Sequence, residues 1–344
     1  MELLFRIIDI IHETPDSKTF YLEHIDGKAI AYKAGQFLTF IFRGAGQEIR
    51  RSYSFGSTPG IDPVLFITVK RKINGSVSRR LFEQYKTGDT LTAIEPSGKF
   101  TLEEPVNKQY IFIAAGSGIT PVFSLIKQLL YFNPQSNVLL INQCRDEANI
   151  IYAYGLQQLQ QKFSSRFSII QLFSQPSSYE YFSQRLNNIL FETIIQRQVA
   201  QHAITDMQCY VCGPVVFMRM AQFTLRLLHF NEEQIHKEQF VINDPPPAPL
   251  LTDTSPKQVT IHYKHHTYDV KTAYPLSILD AALKQGIELP YNCKGGICST
   301  CMARCSHGKI VMSINEVLTP RDLENGLVLT CTGYAATDAE IWID

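Results

Sequence analysis

Four cysteines near the C-terminus have the spacing of a ligand set for a metal cluster. Three of them fall in the run P-Y-N-C-K-G-G-I-C-S-T-C as C-x4-C-x2-C, and the fourth stands alone further along; they are Cys293, Cys298, Cys301 and Cys331. This is the plant-type pattern for a [2Fe–2S] cluster, in which one short loop supplies three thiolates. The two glycines in the loop would let backbone N–H groups approach the cluster sulfurs.

Zinc or disulfide bonds are the competing interpretations of these cysteines. Zinc sites usually pair cysteines in C-x2-C knuckles or add histidine, whereas here the fourth cysteine has no close neighbour in sequence. Disulfides fit less well because the chain begins with an alternating strand pattern, M-E-L-L-F-R-I-I-D-I, and not with a secretory signal. We therefore expect an iron–sulfur cluster and a cytoplasmic, reducing compartment.

Composition describes an ordinary globular chain of 344 residues, 45% hydrophobic and 19% charged, with a formal net charge of zero. A chain of this length is expected to hold two or three domains. The zero net charge gives no reason to expect nucleic acid or an anionic membrane surface as a partner. No apolar run approaches the ~20 residues that would span a bilayer.

Residues 1–105 are predicted to form a small antiparallel β-barrel. Alternating runs at 18–22, 37–42, 65–69 and 90–94 are separated by Gly, Pro and Asp turns, with one helix expected at 77–85.

Residues 106–241 change pattern. Buried strands are expected at 110–115, 138–141, 167–173 and 208–212, alternating with helices at 122–131, 154–162 and 215–230. This alternation is typical of a parallel, doubly wound α/β sheet.

A proline-rich linker is predicted for residues 242–257, followed by a smaller domain at 258–344. The linker carries Pro245, Pro246, Pro247, Pro249 and Pro256, which favour an extended spacer. The last domain shows a hairpin at 259–263 and 267–270, a helix at 277–284 and closing strands at 328–330 and 341–343.

Two segments of the first domain could hold a phosphorylated ring cofactor. R-R-S-Y-S-F, at 50–55, combines a cation, an aromatic ring and hydroxyls on one strand, although alone it is also compatible with an ordinary strand. The segment G-S-V-S at 75–78 opens a helix, where N–H groups can receive phosphate; a plain capping turn is the alternative.

Two turns of the second domain could hold a dinucleotide. G-S-G-I-T-P, at 116–121, connects a buried strand to an amphipathic helix, so its glycines permit close backbone approach to a phosphate. C-G-P, at 212–214, ends another strand at the same expected sheet edge, where ligands of open α/β sheets bind. A buried core cysteine is the alternative for Cys212.

Together these motifs resemble the ferredoxin–NAD(P)+ reductase superfamily, over the whole chain and in the family's order. The branch that is most similar carries a C-terminal plant-type ferredoxin domain and includes reductases of phenylacetyl-CoA epoxidase and of Rieske-type oxygenases. The resemblance implies a multidomain fold: an antiparallel β-barrel for flavin, an α/β parallel-sheet nucleotide domain and an α+β β-grasp ferredoxin domain.

The resemblance also implies roles for individual residues. Ser54, Cys212 and Glu238 would be catalytic, with Ser54 near flavin N5 and Cys212 beside the nicotinamide ring. Phe240 would cover the flavin where many members have tyrosine, which leaves any role for a hydroxyl in doubt. The flavin set would be Arg51, Ser52, Tyr53, Ser54, Thr68, Val69, Lys70, Gly75, Ser76, Val77 and Ser78; the nucleotide set would be Gly116, Ser117, Gly118, Thr120, Pro121, Arg145, Arg185, Cys212, Gly213 and Pro214.

The implied activity is an NAD(P)H-dependent reductase that passes electrons through flavin and cluster to a separate oxygenase, expected to be di-iron. The resemblance favours FAD over FMN. Arg145 and Arg185 favour NADPH over NADH, although Gln175 stands where relatives have a third arginine. Two alternatives stay open: a reductase of hybrid cluster protein or another redox partner, and a non-catalytic redox sensor or metal-binding adaptor.

Overall fold

The structure is a computed structural model that describes residues 2–44, 47–102, 108–240 and 248–343. It forms two compact units, Met1–Gln239 and Phe240–Asp344. The expected domain boundary at 105/106 and the linker prolines Pro245, Pro246 and Pro247 lie outside the described residues, so these limits stay predictions. In the described part, no helix combines the length and apolar character needed to cross a membrane.

The first unit begins with a six-stranded antiparallel barrel. Its strands are β1 (Glu2–Thr14), β2 (Ser17–His24), β3 (Phe37–Gly44), β4 (Gln47–Ser54), β5 (Leu65–Lys70) and β6 (Thr90–Ser97). They are arranged in the order β4-β3-β6-β1-β2-β5, and an isolated bridge between Phe55 and Ile67 joins the two outer strands. Leu3, Phe5 and Ile7 alternate with exposed residues along β1 and point into the barrel core.

One helix, α1 (Ser76–Gln84), follows β5 and closes one end of the barrel with Val77 and Leu81 in the core. The barrel and its helix confirm the predicted fold of this region.

The second half of the unit is a five-stranded parallel sheet with helices around it. Its elements are β7 (Gln109–Ala115), α2 (Ile119–Phe132), β8 (Asn137–Cys144), α3 (Ala153–Lys162), β9 (Phe167–Phe173), α4 (Asn188–Val199), β10 (Met207–Cys212), α5 (Val215–Leu227) and β11 (Ile235–Glu238). The strand order is β11-β10-β7-β8-β9. Because the chain changes direction at β7, the carboxyl ends of β7 and β10 border the crevice where such sheets bind ligands.

Helix α5 ends three residues earlier than the sequence predicts. His229 takes a left-handed conformation with φ +65°, and the N–H of Phe230 donates to the carbonyl of Leu225 at 3.1 Å. This is a helix-terminating arrangement that an apolar pattern alone does not reveal.

The second unit is a mixed five-stranded sheet packed on a helix, in agreement with the predicted β-grasp class. Its elements are β12 (Lys257–Tyr263), β13 (His266–Thr272), α6 (Ile278–Lys284), β14 (Met302–His307), β15 (Ile310–Met312), α7 (Pro320–Glu324), β16 (Leu327–Leu329), β17 (Gly333–Ala335) and β18 (Ala339–Ile343). The main sheet has the order β13-β12-β18-β14-β16. Ile278 and Leu279 of α6 are fully buried against it.

Candidate functional site

Three distant segments meet at the end of the parallel sheet. Ser54, the last residue of β4, donates its hydroxyl hydrogen bond to Oε2 of Glu238 at 2.9 Å. Glu238 is the last residue of β11, and Cys212 of β10 lies beside it in the parallel register. The three residues with predicted catalytic roles therefore lie together, and each is at least nine-tenths buried.

Burial determines the chemistry of the Cys212 thiol. Removal from water, and secondarily the negative charge of Glu238, raises the pKa of this thiol well above its usual value. Cys212 is therefore an uncharged, polarizable group at the crevice and not a thiolate nucleophile.

The two glycine turns pack directly against each other beside this trio. A Cβ atom added to Gly118 would lie 2.1 Å from the carbonyl oxygen of Cys212, so only glycine fits there. Gly213 has its would-be Cβ 3.0 Å from the Cβ of Ala115. Within the described residues, no side-chain cap closes the turn Gly116–Gly118 or the helix α2 that follows it, so the first backbone N–H groups of this turn have no side-chain acceptor. These features fit a dinucleotide phosphate.

Pro121 and Thr120 start α2 and are buried, whereas Ser117 and Pro214 are partly or fully exposed. The turn thus presents Ser117 and the backbone of Gly116, not the threonine side chain, to the outside.

The flavin motif lies along β4, where Tyr53 packs against the barrel core and its ring centre is 6.0 Å from that of Phe40. Arg51 is exposed, Ser52 and Tyr53 are half-buried, and Ser54 is buried. The Ser52 hydroxyl shares a 2.8 Å hydrogen bond with Thr39 Oγ1. Helix α1 begins after Gly75 with no side-chain cap in the described part of the chain, so the N–H groups of Ser76 and its neighbours can receive a phosphate.

The side chains of the predicted segment 68–70 have other partners. Thr68 shares hydrogen bonds with Thr19 and with the hydroxyl of Tyr152, Val69 is fully buried in the barrel core, and Lys70 pairs with Asp16 at 2.9 Å. Any contact of these residues with a flavin would therefore come from their backbone. In helix α1, Val77 likewise belongs to the barrel core, and Ser78 Oγ accepts a hydrogen bond from the N–H of Lys72.

The predicted 2′-phosphate residues lie after β8 and β9. Arg145 is largely exposed, and its Nε donates to Oε1 of Gln175 at 3.2 Å. Arg185, between β9 and α4, is also exposed. Glu147 accepts hydrogen bonds from Ser177 and Ser178, and those from the Ser177 hydroxyl and N–H in particular lower the pKa of Glu147 to about 2.

The cysteine loop of the second unit is shaped by left-handed residues. Lys294, Gly296 and Ser299 all have positive φ, a left-handed conformation that turns the backbone sharply between the cysteines. A Cβ atom on Gly296 would lie 2.6 Å from the carbonyl oxygen of Ile314, and the N–H of Gly295 points to a cysteine sulfur, Sγ of Cys293, at 3.4 Å.

The four thiols interact with one another in a chain from Cys298 to Cys301. Cys293 interacts with Cys298 and Cys331, and Cys331 also interacts with Cys301. Interaction with Cys293, followed by burial, raises the pKa of Cys298 well above the usual value of a thiol. Among the described residues, no group of three or more His, Cys, Asp or Glu side chains is placed so that it could hold a metal ion. In residue type and sequence spacing, the four thiols match the ligand set of a plant-type [2Fe–2S] cluster.

The fourth cysteine is held in place by its neighbours. Thr330 donates from its N–H and from its hydroxyl to the carbonyl oxygen of Cys301, and Thr332 donates to the carbonyl of Ile314; both threonines are fully buried. The sequence motifs did not indicate these two threonines, although L-T-C-T flanks Cys331.

Phe240, the first residue of this unit, is 43% exposed.

Three family models match consecutive parts of the chain in this order. An oxidoreductase FAD-binding domain matches residues 5–102, an oxidoreductase NAD-binding domain matches 112–222, and a 2Fe-2S iron-sulfur cluster binding domain matches 261–336. The barrel, the parallel sheet and the cysteine loop thus each correspond to a known cofactor domain.

Curated relatives match nearly the full length. A 1,2-phenylacetyl-CoA epoxidase component from Escherichia coli is 31% identical, over 90% of this chain and 88% of its own. The ferredoxin reductase component of 3-ketosteroid-9-alpha-monooxygenase from Mycolicibacterium smegmatis is 28% identical, over 98% of this chain and 95% of its own.

Phthalate dioxygenase reductase, a solved structure, shares the fold with a TM-score of 0.62 and 21% identity, covering 100% of this chain and 98% of its own. The FAD, nucleotide and [2Fe–2S] domains, their order and the full-length likeness to a component of an oxygenase system identify the family. The chain belongs to the ferredoxin–NAD(P)+ reductase superfamily, in the branch of NAD(P)H oxidoreductases that carry FAD and a C-terminal plant-type [2Fe–2S] domain.

Proposed function

We propose that this chain is the reductase component of an oxygenase system, which takes electrons from NAD(P)H and delivers them to a separate oxygenase protein. The observation that carries this proposal is the presence on one chain of two sites. The crevice of Ser54, Cys212 and Glu238 suits hydride chemistry, and the four-thiol loop suits one-electron chemistry. The names of the relatives support an oxygenase as the acceptor, in preference to hybrid cluster protein.

When bound, FAD accepts a hydride and the [2Fe–2S] cluster carries single electrons, so the protein's task is binding and placement. Ser54 holds its hydroxyl against Glu238, which fixes the end of β4 where the flavin motif stops. Cys212 offers a neutral surface to the nicotinamide side of the crevice, and Gly118 allows the nucleotide turn to approach β10. Together these residues would hold the donor and acceptor atoms at reacting distance.

The four cysteines differ in exposure, which suggests a direction for electron exit. Cys301 and Cys331 are buried, whereas Cys293 and Cys298 are half-buried. We infer that the side of the cluster held by Cys293 and Cys298 faces the acceptor protein.

For the nicotinamide cofactor we propose NADPH. Arg145 presents an exposed guanidinium beside Gln175, and arginine forks favour a 2′-phosphate. Arg145→Ala should raise KM for NADPH on the order of tenfold and leave KM for NADH within about twofold. An equal change for both cofactors would favour NADH as the natural donor.

A spectrum of the purified protein tests the central proposal. Flavin bands and cluster absorbance that NADPH or NADH bleaches without oxygen, followed by turnover of an added oxygenase component, are expected. A colourless protein that contains zinc would overturn it and favour the adaptor alternative. A cytoplasmic location is part of the proposal, because thiolate ligands need a reducing compartment.

A further inference from the structure

A short loop ties the flavin strand to the nucleotide helix. Residues 55–62, here called the clamp loop, follow directly after Ser54. Ser124 of α2 donates its hydroxyl hydrogen bond to the carbonyl oxygen of Ser57 at 2.5 Å, and Thr58 Oγ1 donates to the carbonyl oxygen of Ser124 at 3.0 Å. Ser57 and Thr58 are almost completely buried. The loop is thus fixed to the first turns of α2.

A buried ion pair also joins the clamp loop to α2. Lys127 of α2 is only 5% exposed and donates to Oδ2 of Asp62, which also accepts from the N–H of Thr58 at 2.6 Å. Burial lowers the pKa of Lys127, opposed by the charge of Asp62. A lysine removed from water in this way needs its partner, because an unpaired buried charge is strongly unfavourable.

Two aromatic rings, one from each domain, enclose the lysine. Its Nζ lies 4.9 Å from the ring centre of Phe66 on β5 and 4.6 Å from that of Phe123 on α2. Phe123 in turn stacks on Tyr152 at 4.4 Å between ring centres. Cation–π contacts with two rings restrict both the position and the orientation of the Lys127 ammonium group.

The contacts between the clamp loop and α2 lie within a few residues of the flavin motif on one side and of the nucleotide turn on the other. Ser57 is three residues after Ser54, whose hydroxyl binds Glu238. Ser124 is one helical turn after Thr120 in the nucleotide turn. A shift between the clamp loop and α2 would therefore change the distance between the flavin motif and the nucleotide turn.

We propose that Lys127, through its ion pair with Asp62, is a positioning residue that sets the distance between bound nicotinamide and flavin. This inference rests on the proposed reductase function. The hydride step is sensitive to small displacements, since a misplacement of about 1 Å can cost about 100-fold in rate.

The test compares two variants of the full-length holoprotein. Lys127→Met keeps the aliphatic stem between the rings and removes the charge. Arg166→Met is the control. Arg166 donates to the carbonyls of Leu130 and Asn133 at the other end of α2, so this variant removes a similar cation and leaves the contacts of the clamp loop unchanged. Anaerobic stopped-flow gives the limiting rate of flavin reduction and the dissociation constant of the nucleotide separately.

Lys127→Met should lower the limiting rate at least tenfold with less than a threefold change in the dissociation constant, and Arg166→Met should leave the rate within twofold. Equal slowing by both variants, or an effect on the dissociation constant alone, would overturn the proposal.

Hydrogen exchange on the protein without cofactor gives an independent readout. Amides of residues 55–62 and 119–123 should exchange at least tenfold faster in Lys127→Met, and unchanged exchange there would also overturn it. Wild-type protein that NAD(P)H cannot reduce would instead refute the proposed function.

Discussion

Two serines on strand β4 make a matched pair at the scale of single residues. Ser54→Ala removes the hydrogen bond to Glu238, whereas Ser52→Ala removes one to Thr39. A hydrogen bond to a charged group contributes about 1.5–3 kcal/mol, so Ser54→Ala should slow flavin reduction by NAD(P)H on the order of 10- to 100-fold. Rapid-scanning stopped-flow measures this rate, with cluster absorbance unchanged. A rate for Ser54→Ala that is unchanged from the wild-type rate would remove Ser54 from the hydride step.

The residue types that carry the chemistry were visible in the sequence, but several of their partners were not. The cysteine spacing and the order of the glycine turns predicted the cofactor domains correctly. By contrast, nothing near Lys127 in the sequence indicates Asp62, because the two are 65 positions apart and meet only when α2 packs on the barrel. Thr68 illustrates the same limit, since its hydroxyl faces Tyr152 across the domains.

The turn before α2 contains two glycines that are needed for different reasons, one for its backbone conformation and one for lack of space. Gly116 has φ +57° with open space around it, whereas Gly118 has ordinary φ but backbone atoms of Cys212 and Gly213 within 3 Å of its would-be Cβ. Gly116→Ala should cost about 1 kcal/mol in the free energy of unfolding. Gly118→Ala should cost about 3 kcal/mol, because backbone cannot easily move aside. Urea unfolding measures both, and the reverse ranking would contradict the described turn.

Strand β11 should make the first unit sensitive to acid. His236 stacks on Tyr210 at 4.3 Å, and burial, with a smaller effect of Lys108, lowers the pKa of His236 from 6.5 to about 4. The folded state therefore binds this proton less readily than the unfolded state. Its contribution to stability is complete above pH 6.5 and is lost as pH falls towards 4.

The expected loss between pH 6.5 and pH 4 is about 2–3 kcal/mol in the free energy of unfolding. His236→Gln should flatten that part of the profile, measured by urea unfolding at several pH values. His265→Gln, at an exposed position, serves as the control and should leave the slope unchanged. A wild-type profile that is flat from pH 6.5 to 4 would show that His236 binds its proton as readily in the folded state as in the unfolded state.

Elements with a strong apolar period were predicted well, and those without one were missed. The strand expected at 167–173 is β9 with the same bounds. Helix α4 was not predicted, since Ile189 is 78% exposed and its apolar residues do not mark a single face. The four residues of β11 are too few to show alternation, so only the pairing with β10 reveals the strand.

In the full-length protein, reduction of an acceptor by the flavin and reduction of an acceptor through the cluster should be separable by mutation. Cys298→Ser removes one of the four proposed cluster ligands and should abolish reduction of cytochrome c, while ferricyanide reduction by the flavin stays within about twofold. Cys305→Ser is the control, because Cys305 lies on β14 with its sulfur near the carbonyl of His307. Steady-state assays with both acceptors measure this. Parallel loss of both activities in Cys298→Ser would refute the electron path.

The hydrogen bond from Ser54 to Glu238 joins residues 184 positions apart, and Glu238 is almost the last residue of its unit. During synthesis at about 5–20 residues per second, β4 leaves the ribosome roughly 10–40 s before β11. Until β11 is added beside β10, the Ser54 hydroxyl therefore lacks the carboxylate of Glu238 as its partner. A nascent chain therefore cannot bring Ser54, Cys212 and Glu238 together before the nucleotide domain has been synthesised to its last strand.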